Sequence, residues 1–332
     1  MKKSIFTLLI IIAFSTFFQC LNAQTTSYIR DTTIDVMIKN EWVDQPWAGG
    51  LNYCQISPID LDQDGVKDLF IFDKSGFKIT TWINEGITDS VRFVHSPEYR
   101  QQFPELHDWV LLRDYNCDGK QDIFTYSVAG FAVYRNDSNP LDGLQFTLVD
   151  PQVKSNFQPN FVNLFVSRTD IPAIGDIDGD TDLDVLTFDI FGSVVEYHRN
   201  LSMETYGTCD SLIFELRNRC WGFFSESWTS SSLNLFDTCQ GNVPSPERPM
   251  IIDEPDSRVH AGSTLLDIDL NADGVKDLIL GDVSSTRLVE LINGGTVTSS
   301  SIVEQDTMFP SYDTPVDCLL YTSDAADESV CV

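Results

Sequence analysis

Strand-length runs of apolar residues, separated by polar turns, recur along the chain and predict β-structure. Four of these runs, at 69–72, 123–126, 185–188 and 278–280, begin directly after an aspartate-rich segment. Each run meets a short turn and a second strand-like run, and the second runs end at Asn84, Asn136, Asn200 and Asn293. Short apolar runs bounded by turn residues are typical of β-strands. The repeating unit is therefore loop, strand, turn, strand.

The spacing of these units predicts the architecture. The aspartate-rich loops start at Asp60, Asp114, Asp176 and Asp269, which are 54, 62 and 93 residues apart. A multi-stranded repeat of roughly 50 to 60 residues is typical of β-propeller blades and not of helical solenoids. We therefore predict an all-β propeller of four-stranded blades over 47–315, with about four to five blades present. The long third interval predicts an insertion at about 201–250.

The two ends of the chain differ from the repeats. Lys2 and Lys3, an apolar run over 5–14 and the small-residue exit at Ala23 predict a secretory signal peptide over 1–23. This run is too short for a membrane span, which needs roughly 20 apolar residues. Cys20 raises a lipoprotein as a minor alternative. We expect a secreted or cell-surface protein with a lead-in strand region over 24–46, and no membrane span.

The C-terminal stretch over 316–332 lacks both strand periodicity and the loop motif. It is predicted to be a non-native or disordered tail, and the chain a truncated, incomplete propeller. A partial last blade would leave a sheet edge exposed.

The charge balance excludes some partners. The chain carries 50 acidic and 21 basic residues, a formal net charge of −29, which becomes −31 once Lys2 and Lys3 leave with the signal peptide. Nucleic-acid binding depends on lysine and arginine contacts to phosphates, so no nucleic-acid partner is expected. Much of the excess of acidic residues lies in the four aspartate-rich loops.

Seven cysteines remain after signal cleavage, in an oxidising compartment where disulfides form. Cys209, Cys220 and Cys239 lie close together in sequence, which favours a local disulfide among them. The connectivity stays open. No cysteine and histidine spacing indicates zinc.

The four loops share the pattern D-x-[DN]-x-D-[GT]-x-x-D and predict calcium sites. Calcium takes 6 to 8 oxygen ligands, and alternate residues of a tightly curled loop can supply them. Positions 1, 3, 5 and 9 would bind through side chains and position 7 through its backbone carbonyl. The predicted ligands are Asp60, Asp62, Asp64, Val66 and Asp68 in loop 1; Asp114, Asn116, Asp118, Lys120 and Asp122 in loop 2; Asp176, Asp178, Asp180, Asp182 and Asp184 in loop 3; and Asp269, Asn271, Asp273, Val275 and Asp277 in loop 4. About four Ca²⁺ ions are expected.

Plain acidic turns, EF-hands and magnesium sites fit the four loops less well than calcium sites do. Acidic residues also favour plain turns, but four matches that each precede the same hairpin favour a metal. An EF-hand needs Glu at position 12 and flanking helices, whereas position 12 here is Ile71, Thr125, Thr187 or Leu280 within a predicted strand. Magnesium is less suitable because it prefers strict octahedra. Thr181 replaces the turn glycine and predicts a strained third loop.

With these loops and hairpins, the chain resembles FG-GAP/VCBS repeat proteins of the secreted bacterial type, whose blades are like those of the integrin α-chain propeller. The segments 49–52 (GGLN) and 260–263 (HAGS), which precede the first and fourth loops, are similar to lead-in strands of that family. The resemblance covers roughly 47–295. It implies seven blades in the full protein, structural calcium in the loops, an extracellular location and a binding or cell-adhesion role.

Two functions follow as hypotheses. The first is a calcium-stabilised, non-catalytic module that binds an extracellular protein or glycan. The alternative is a scaffold or accessory domain of an extracellular polysaccharide-degrading enzyme. The four histidines are scattered and no hydrolase motif is present, so we expect no enzyme activity. Six tryptophans could stack on sugars, but in β-rich repeats they more often pack in the core; they are Trp42, Trp47, Trp82, Trp109, Trp221 and Trp228.

Overall fold

The structure is a computed structural model that describes residues 31, 33–49, 51–226, 232–239, 262–283 and 285–316. The predicted signal peptide and nearly all of the predicted tail lie outside the described residues. The chain forms two units, before and after Gly50. The first contains a short hairpin of β1 (Met37–Ile38) and β2 (Glu41–Trp42), and in it the Trp47 indole donates to the Ile34 carbonyl at 2.7 Å.

The second unit consists of four β-sheets arranged as propeller blades, each with four consecutive antiparallel strands. Blade 1 contains β3 (Cys54–Ile59), β4 (Asp68–Asp73), β5 (Lys78–Asn84) and β6 (Phe93–His95). Blade 2 contains β7 (Val110–Arg113), β8 (Asp122–Ser127), β9 (Gly130–Asn136) and β10 (Phe146–Asp150). Blade 3 contains β13 (Ala173–Gly175), β14 (Asp184–Phe188), β15 (Val195–Asn200) and β16 (Phe214–Asn218). Blade 4 contains β19 (Ser263–Ile268), β20 (Asp277–Asp282), β21 (Leu288–Asn293) and β22 (Ile302–Asp306).

Blade 3 carries two additional strands at its outer edge. These are β11 (Lys154–Asn156) and β12 (Phe161–Asn163), and β11 pairs in parallel with β16. The remaining elements are a pair of two-residue strands, β17 (Phe224–Ser225) with β18 (Asn234–Leu235), a five-residue helix α1 (Ser202–Tyr206), and 3₁₀ turns at Pro97–Gln102 and Trp221–Phe223. Within the described residues, no helix has the length and apolar character needed to cross a bilayer.

Each aspartate loop joins the first strand of its blade to the second. The residue before the loop pairs with the ninth loop residue: Ile59 with Asp68, Arg113 with Asp122, Gly175 with Asp184 and Ile268 with Asp277. The ninth-position aspartate is therefore both the end of the loop and the first residue of the second strand. This register holds the four loops at the same place in every blade.

The core lies between adjacent blades. Ile123 belongs to the apolar cluster shared by blades 1 and 2, whereas its neighbour Phe124 belongs to the cluster shared by blades 2 and 3. Val185 and Leu186 divide in the same way between the second cluster and the one shared by blades 3 and 4. Successive side chains of a strand point to opposite faces. A continuous apolar run therefore fits these strands, because both of their faces are buried.

The predicted all-β propeller of four-stranded blades is confirmed, with four blades in the described part of the chain. Residues 307–316, which follow the last strand, contain no strand. Part of the predicted insertion is described: α1, β16, β17 and β18 lie within it, and β16 is the fourth strand of blade 3. Residues 227–231 and 240–261, with Trp228 and His260, lie outside the described residues.

Candidate metal centres

The four loops share one backbone conformation. The sixth residue has positive φ in every loop: 89° at Gly65, 86° at Gly119, 87° at Thr181 and 85° at Gly274. The threonine of loop 3 therefore adopts a left-handed conformation that is costly for a residue with a Cβ atom. This agrees with the strain predicted from the sequence.

A second positive φ was not predicted from the sequence. The fourth residue of each loop also has positive φ: 64° at Gln63, 59° at Cys117, 84° at Gly179 and 60° at Ala272. Loop 3 has its glycine at this fourth position instead of the sixth. Each loop therefore curls through two left-handed residues, and only one of them is a glycine.

Side chains of the loop hold this curl. The first-position aspartate accepts the backbone N–H of the sixth residue at 3.0 Å in loop 1, 2.8 Å in loop 2, 3.2 Å in loop 3 and 3.0 Å in loop 4. The fifth-position aspartate accepts the N–H of the seventh residue at 2.7–3.1 Å. These are side-chain-to-backbone bonds that acidic turn residues characteristically make. The curl brings alternate carboxylates to one side.

The ninth-position aspartates are almost completely buried, with exposed fractions of 1% for Asp68 and 0% for Asp122, Asp184 and Asp277. One oxygen accepts the N–H of the second loop residue at 2.7–3.2 Å. The other accepts the N–H of the asparagine that ends the third strand, at 2.7–2.8 Å. Each carboxylate oxygen has a further lone pair, so these bonds leave room for a cation.

The recurring asparagines thereby acquire a structural role. In loops 1, 2 and 4 the side-chain amide of Asn84, Asn136 or Asn293 donates to the carbonyl of the eighth loop residue at 3.0–3.2 Å. In blade 3 the amide of Asn200 donates instead to the Ser211 carbonyl at 3.0 Å. The asparagine therefore joins the third strand to the loop through its main-chain N–H in all four blades. In three blades its side-chain amide adds a second hydrogen bond.

Carboxylates converge in two loops. Ligand atoms of Asp60, Asp62 and Asp68 lie within 4.8 Å of one another, and so do those of Asp176, Asp178 and Asp184. Loops 2 and 4 have Asn116 and Asn271 at position 3. Those amide oxygens accept the N–H of the fifth residue at 3.2 and 2.9 Å. The third position thus offers an amide oxygen there in place of a carboxylate.

Unpaired oxygens show that the loops fit a cation. Asp60 Oδ1 and Asp178 Oδ1 are buried, and neither has a hydrogen-bond partner in the described part of the chain. A buried carboxylate oxygen without a partner is costly unless a cation meets it. Each of the two belongs to a converging triad. The hard oxygen donors suit calcium, whereas the carbonyls of Val66, Lys120, Asp182 and Val275 remain predicted ligands.

Burial raises the pKa values of three ninth-position aspartates. It raises the pKa of Asp122 to about 7 and that of Asp184 to about 8. In both cases the backbone N–H bonds and, for Asp184, the Tyr197 hydroxyl act in the opposite direction but do not compensate. Burial also raises the pKa of Asp68. A bound cation would favour the charged forms and reverse these shifts.

Loop 3 has additional charged residues that were not predicted as site residues. Arg199 Nε lies 2.5 Å from Asp178 Oδ2, and its guanidinium also pairs with Asp180 and with Glu204 from α1. Asp178, Asp180 and Glu204 form a second carboxylate group next to the first triad. Asp178 therefore has one oxygen toward the guanidinium, while its other oxygen is the unpaired one. Arg199 compensates part of the charge of this loop.

Two disulfides are present among the described residues, and one of them involves an aspartate loop. Cys220 pairs with Cys239, which is the local disulfide expected in this region. Cys209 instead pairs with Cys117, which is the fourth residue of loop 2 and lies 92 residues away in the sequence. This bond links loop 2 of blade 2 to the segment after α1 in blade 3. Cys54 is a free cysteine.

The side chains of His198, Trp109 and Trp221 are buried. His198 Nδ1 lies 2.8 Å from Ser155 Oγ, but both residues are completely buried, so this pair has no access to a polymeric substrate. Trp109 and Trp221 are buried in the inter-blade clusters, as expected for packing residues. Trp42 is 67% exposed.

The chain has similar solved structures but no match in sequence. No protein-family profile matches the chain, and no curated protein matches it in sequence. Among the similar solved structures is one described as the basis of specific recognition of non-reducing terminal N-acetylglucosamine by an Agrocybe aegerita lectin. The alignment covers 78% of this chain and 67% of that chain, with 12% identity and a TM-score of 0.36. A likeness at this level carries no argument about function, and the FG-GAP/VCBS resemblance remains a prediction.

Proposed function

We propose that the chain is a secreted, calcium-binding β-propeller of the FG-GAP/VCBS type that acts as a non-catalytic binding or adhesion module. The observation that carries the proposal is the pair of buried, unpaired oxygens of Asp60 and Asp178, each within a carboxylate triad. Four loops of one conformation at one position in every blade support the same role for loops 2 and 4. The two disulfides are compatible with an extracellular location.

In this role the protein residues preorganise the loops. The first- and fifth-position aspartates fix the curl, and the ninth-position aspartate ties the loop to the third strand through the terminal asparagine. Calcium, when bound, would supply the positive charge that offsets the clustered carboxylates. Because the loops would bind it only in the folded conformation, binding would stabilise the fold by mass action.

The burial of His198 and the position of the acidic groups favour a binding role over catalysis. His198, whose ring lies close to the Ser155 hydroxyl, is buried, and the converging carboxylates of the described residues belong to loops 1 and 3 and to Glu204 of α1. A fold alone does not fix a function. The proposed partner is an extracellular protein or glycan that contacts the surface of the blades.

Thermal unfolding with and without a chelator tests the proposal. We expect excess EDTA to lower the melting temperature strongly and added Ca²⁺ to restore it. Mg²⁺ at the same concentration serves as the control and should restore much less. The same preparation should release no sugar from a panel of polysaccharides. Unchanged melting in EDTA would contradict calcium binding, and turnover that is lost on mutating a carboxylate outside the loops would favour the enzyme scaffold.

A further inference from the structure

A pocket of about 370 Å³ lies between loop 1 and loop 2. Asp60, Gln63 and Lys67 line it from loop 1, and Lys120 and Gln121 line it from loop 2. The hairpin end at Asn136 to Pro140 completes the wall. Pockets that hold small ligands typically have volumes of about 300–1,000 Å³. This pocket therefore has the size for a sugar unit or a similar small group.

The polar groups available in this pocket are mainly donors. Gln63 Nε2 is buried and has no hydrogen-bond partner in the described part of the chain. Lys67 Nζ donates to Gln121 Oε1 at 2.6 Å, which occupies the amide oxygen of Gln121 and leaves its NH₂ group to donate. Buried donors without an acceptor are costly, so the unpaired amide of Gln63 indicates a missing acceptor.

The two amide side chains of the hairpin end are already engaged. Asn136 donates to the Gln121 carbonyl at 3.0 Å and accepts from the Ser138 N–H at 3.0 Å. Asn139 accepts from the Leu141 N–H at 3.0 Å. These residues form a rigid wall, and recognition falls to the two lysines and the two glutamines.

Charge favours an anionic ligand once the neighbouring loops hold calcium. Lys67 is exposed, and the Lys120 ammonium lies 3.5 Å from Asp118 Oδ2, a predicted calcium ligand. A cation bound in loops 1 and 2 would neutralise Asp60 and Asp118, and both ammonium groups would then be available. Charge-assisted bonds from ammonium and amide donors are strongest to carboxylates and similar oxyanions.

We infer that this pocket binds a carboxylated sugar, such as a uronic-acid unit of an acidic glycan. A sugar is favoured over an acidic protein side chain because a single carboxylate would fill only a small part of 370 Å³. The inference rests on the proposed function, since it takes loops 1 and 2 to be loaded with calcium. It adds the class of ligand and the side chains that would bind it, which are those of Gln63, Lys67, Lys120 and Gln121.

Titration calorimetry of the full chain in Ca²⁺ tests the inference. The probes are methyl α-galacturonide and methyl α-galactoside, which differ by a carboxylate against a hydroxymethyl group. The variant is Lys67→Gln, and the matched control is Lys276→Gln, because Lys276 holds the same eighth position in loop 4 and does not line the pocket. We expect the galacturonide alone to bind, Lys67→Gln to weaken it about tenfold, and Lys276→Gln to leave it unchanged.

Calcium uptake is measured separately on the same samples, so that the two proposals can fail independently. Absence of galacturonide binding in protein that has taken up calcium would overturn the pocket inference and leave the calcium proposal standing. Equal binding of the neutral galactoside, or equal weakening by both lysine variants, would also overturn it. Absence of calcium uptake would contradict the proposed function itself.

Discussion

At the scale of the residue, the ninth-position aspartates combine burial with two backbone bonds. Asp122 is completely buried and accepts the N–H groups of Tyr115 and Asn136 at 3.0 and 2.7 Å. Such an aspartate accepts structural hydrogen bonds even in the calcium-free protein. The first-, third- and fifth-position acids are more exposed and can be changed with smaller structural effects.

Asp122→Asn should destabilise the calcium-free protein. The substitution places an NH₂ group against one of two N–H donors and leaves that buried donor unpaired, which costs about 1–3 kcal/mol. Urea denaturation of the calcium-free protein at pH 5 measures the loss, because burial raises the pKa of Asp122 to about 7 and the substitution then removes no buried charge. Asp118→Asn is the control, because Asp118 is exposed and its Oδ1 accepts the Lys120 N–H. An equal loss in both variants would contradict this role of Asp122.

Thr181→Gly should stabilise loop 3. Thr181 has φ of 87°, and a left-handed conformation costs a non-glycine residue about 1–2 kcal/mol, part of which is offset by the greater freedom of glycine in the unfolded chain. We expect a gain of about 0.5–1 kcal/mol in the free energy of unfolding. Gly119→Ala, at the same position in loop 2, should lower the free energy of unfolding. The added Cβ atom would meet no other atom, so the loss would come from the positive φ alone. A loss of stability in Thr181→Gly would refute the strain.

At the scale of the element, the blades were predictable and the connections between them were not. The two apolar runs that follow each loop predict two strands of each blade and their order, because a strand buried on both faces has a continuous apolar sequence. The left-handed fourth residues were missed, since Gln63, Cys117 and Ala272 carry no sequence signal for positive φ. The nearly fixed interval between the ninth-position aspartate and the asparagine that ends the third strand was visible in the sequence. Its cause, the hydrogen bond between these two residues, is visible only in the structure.

Long-range partners were likewise beyond the sequence. Cys117 and Cys209 are 92 residues apart, and sequence alone cannot order seven cysteines into pairs. Nothing in the sequence distinguishes Arg199 from other strand residues, and only the folded hairpin places it beside Asp178. In both cases the missing information is a contact between a loop and a distant residue of blade 3: Cys209 follows the third strand, and Arg199 lies within it.

Removal of the Cys117–Cys209 disulfide should destabilise the protein more than removal of the free thiol. The bond closes a long loop, and loss of such a constraint from the unfolded chain costs roughly 2–5 kcal/mol. The double variant Cys117→Ser with Cys209→Ser is compared by urea denaturation with Cys54→Ser, which removes a free cysteine. Equal midpoints for the two variants would show that the cross-link adds no stability.

At the scale of the whole molecule, charge and blade packing act together. Three apolar clusters join four blades in sequence, and the acidic loops sit between the first and second strands of each. Four Ca²⁺ ions would change the net charge of the processed chain from −31 to −23, since each adds two positive charges to the −31 that follows from the sequence. Calcium would therefore reduce self-repulsion as well as fix the loops.

The pH dependence of stability should differ between the calcium-free and calcium-bound protein. Burial raises the pKa of Asp122 to about 7 and of Asp184 to about 8, above their unfolded values near 3.8. Groups with raised pKa values favour folding below the unfolded pKa, and this contribution is lost as the pH rises through the folded pKa. In EGTA the melting temperature should therefore fall between pH 4 and pH 8. In Ca²⁺ the fall should be absent, and a similar fall in both conditions would contradict cation binding at these acids.

Calcium calorimetry of the chelator-treated protein tests the central claim most directly. The account predicts uptake of about four Ca²⁺ ions per chain, and loss of uptake in a variant that carries asparagine in place of Asp60, Asp114, Asp176 and Asp269. This variant must retain its β-sheet circular dichroism for the comparison to hold. No uptake by the original chain, or undiminished uptake by the folded variant, would contradict the assignment of the four loops as calcium sites.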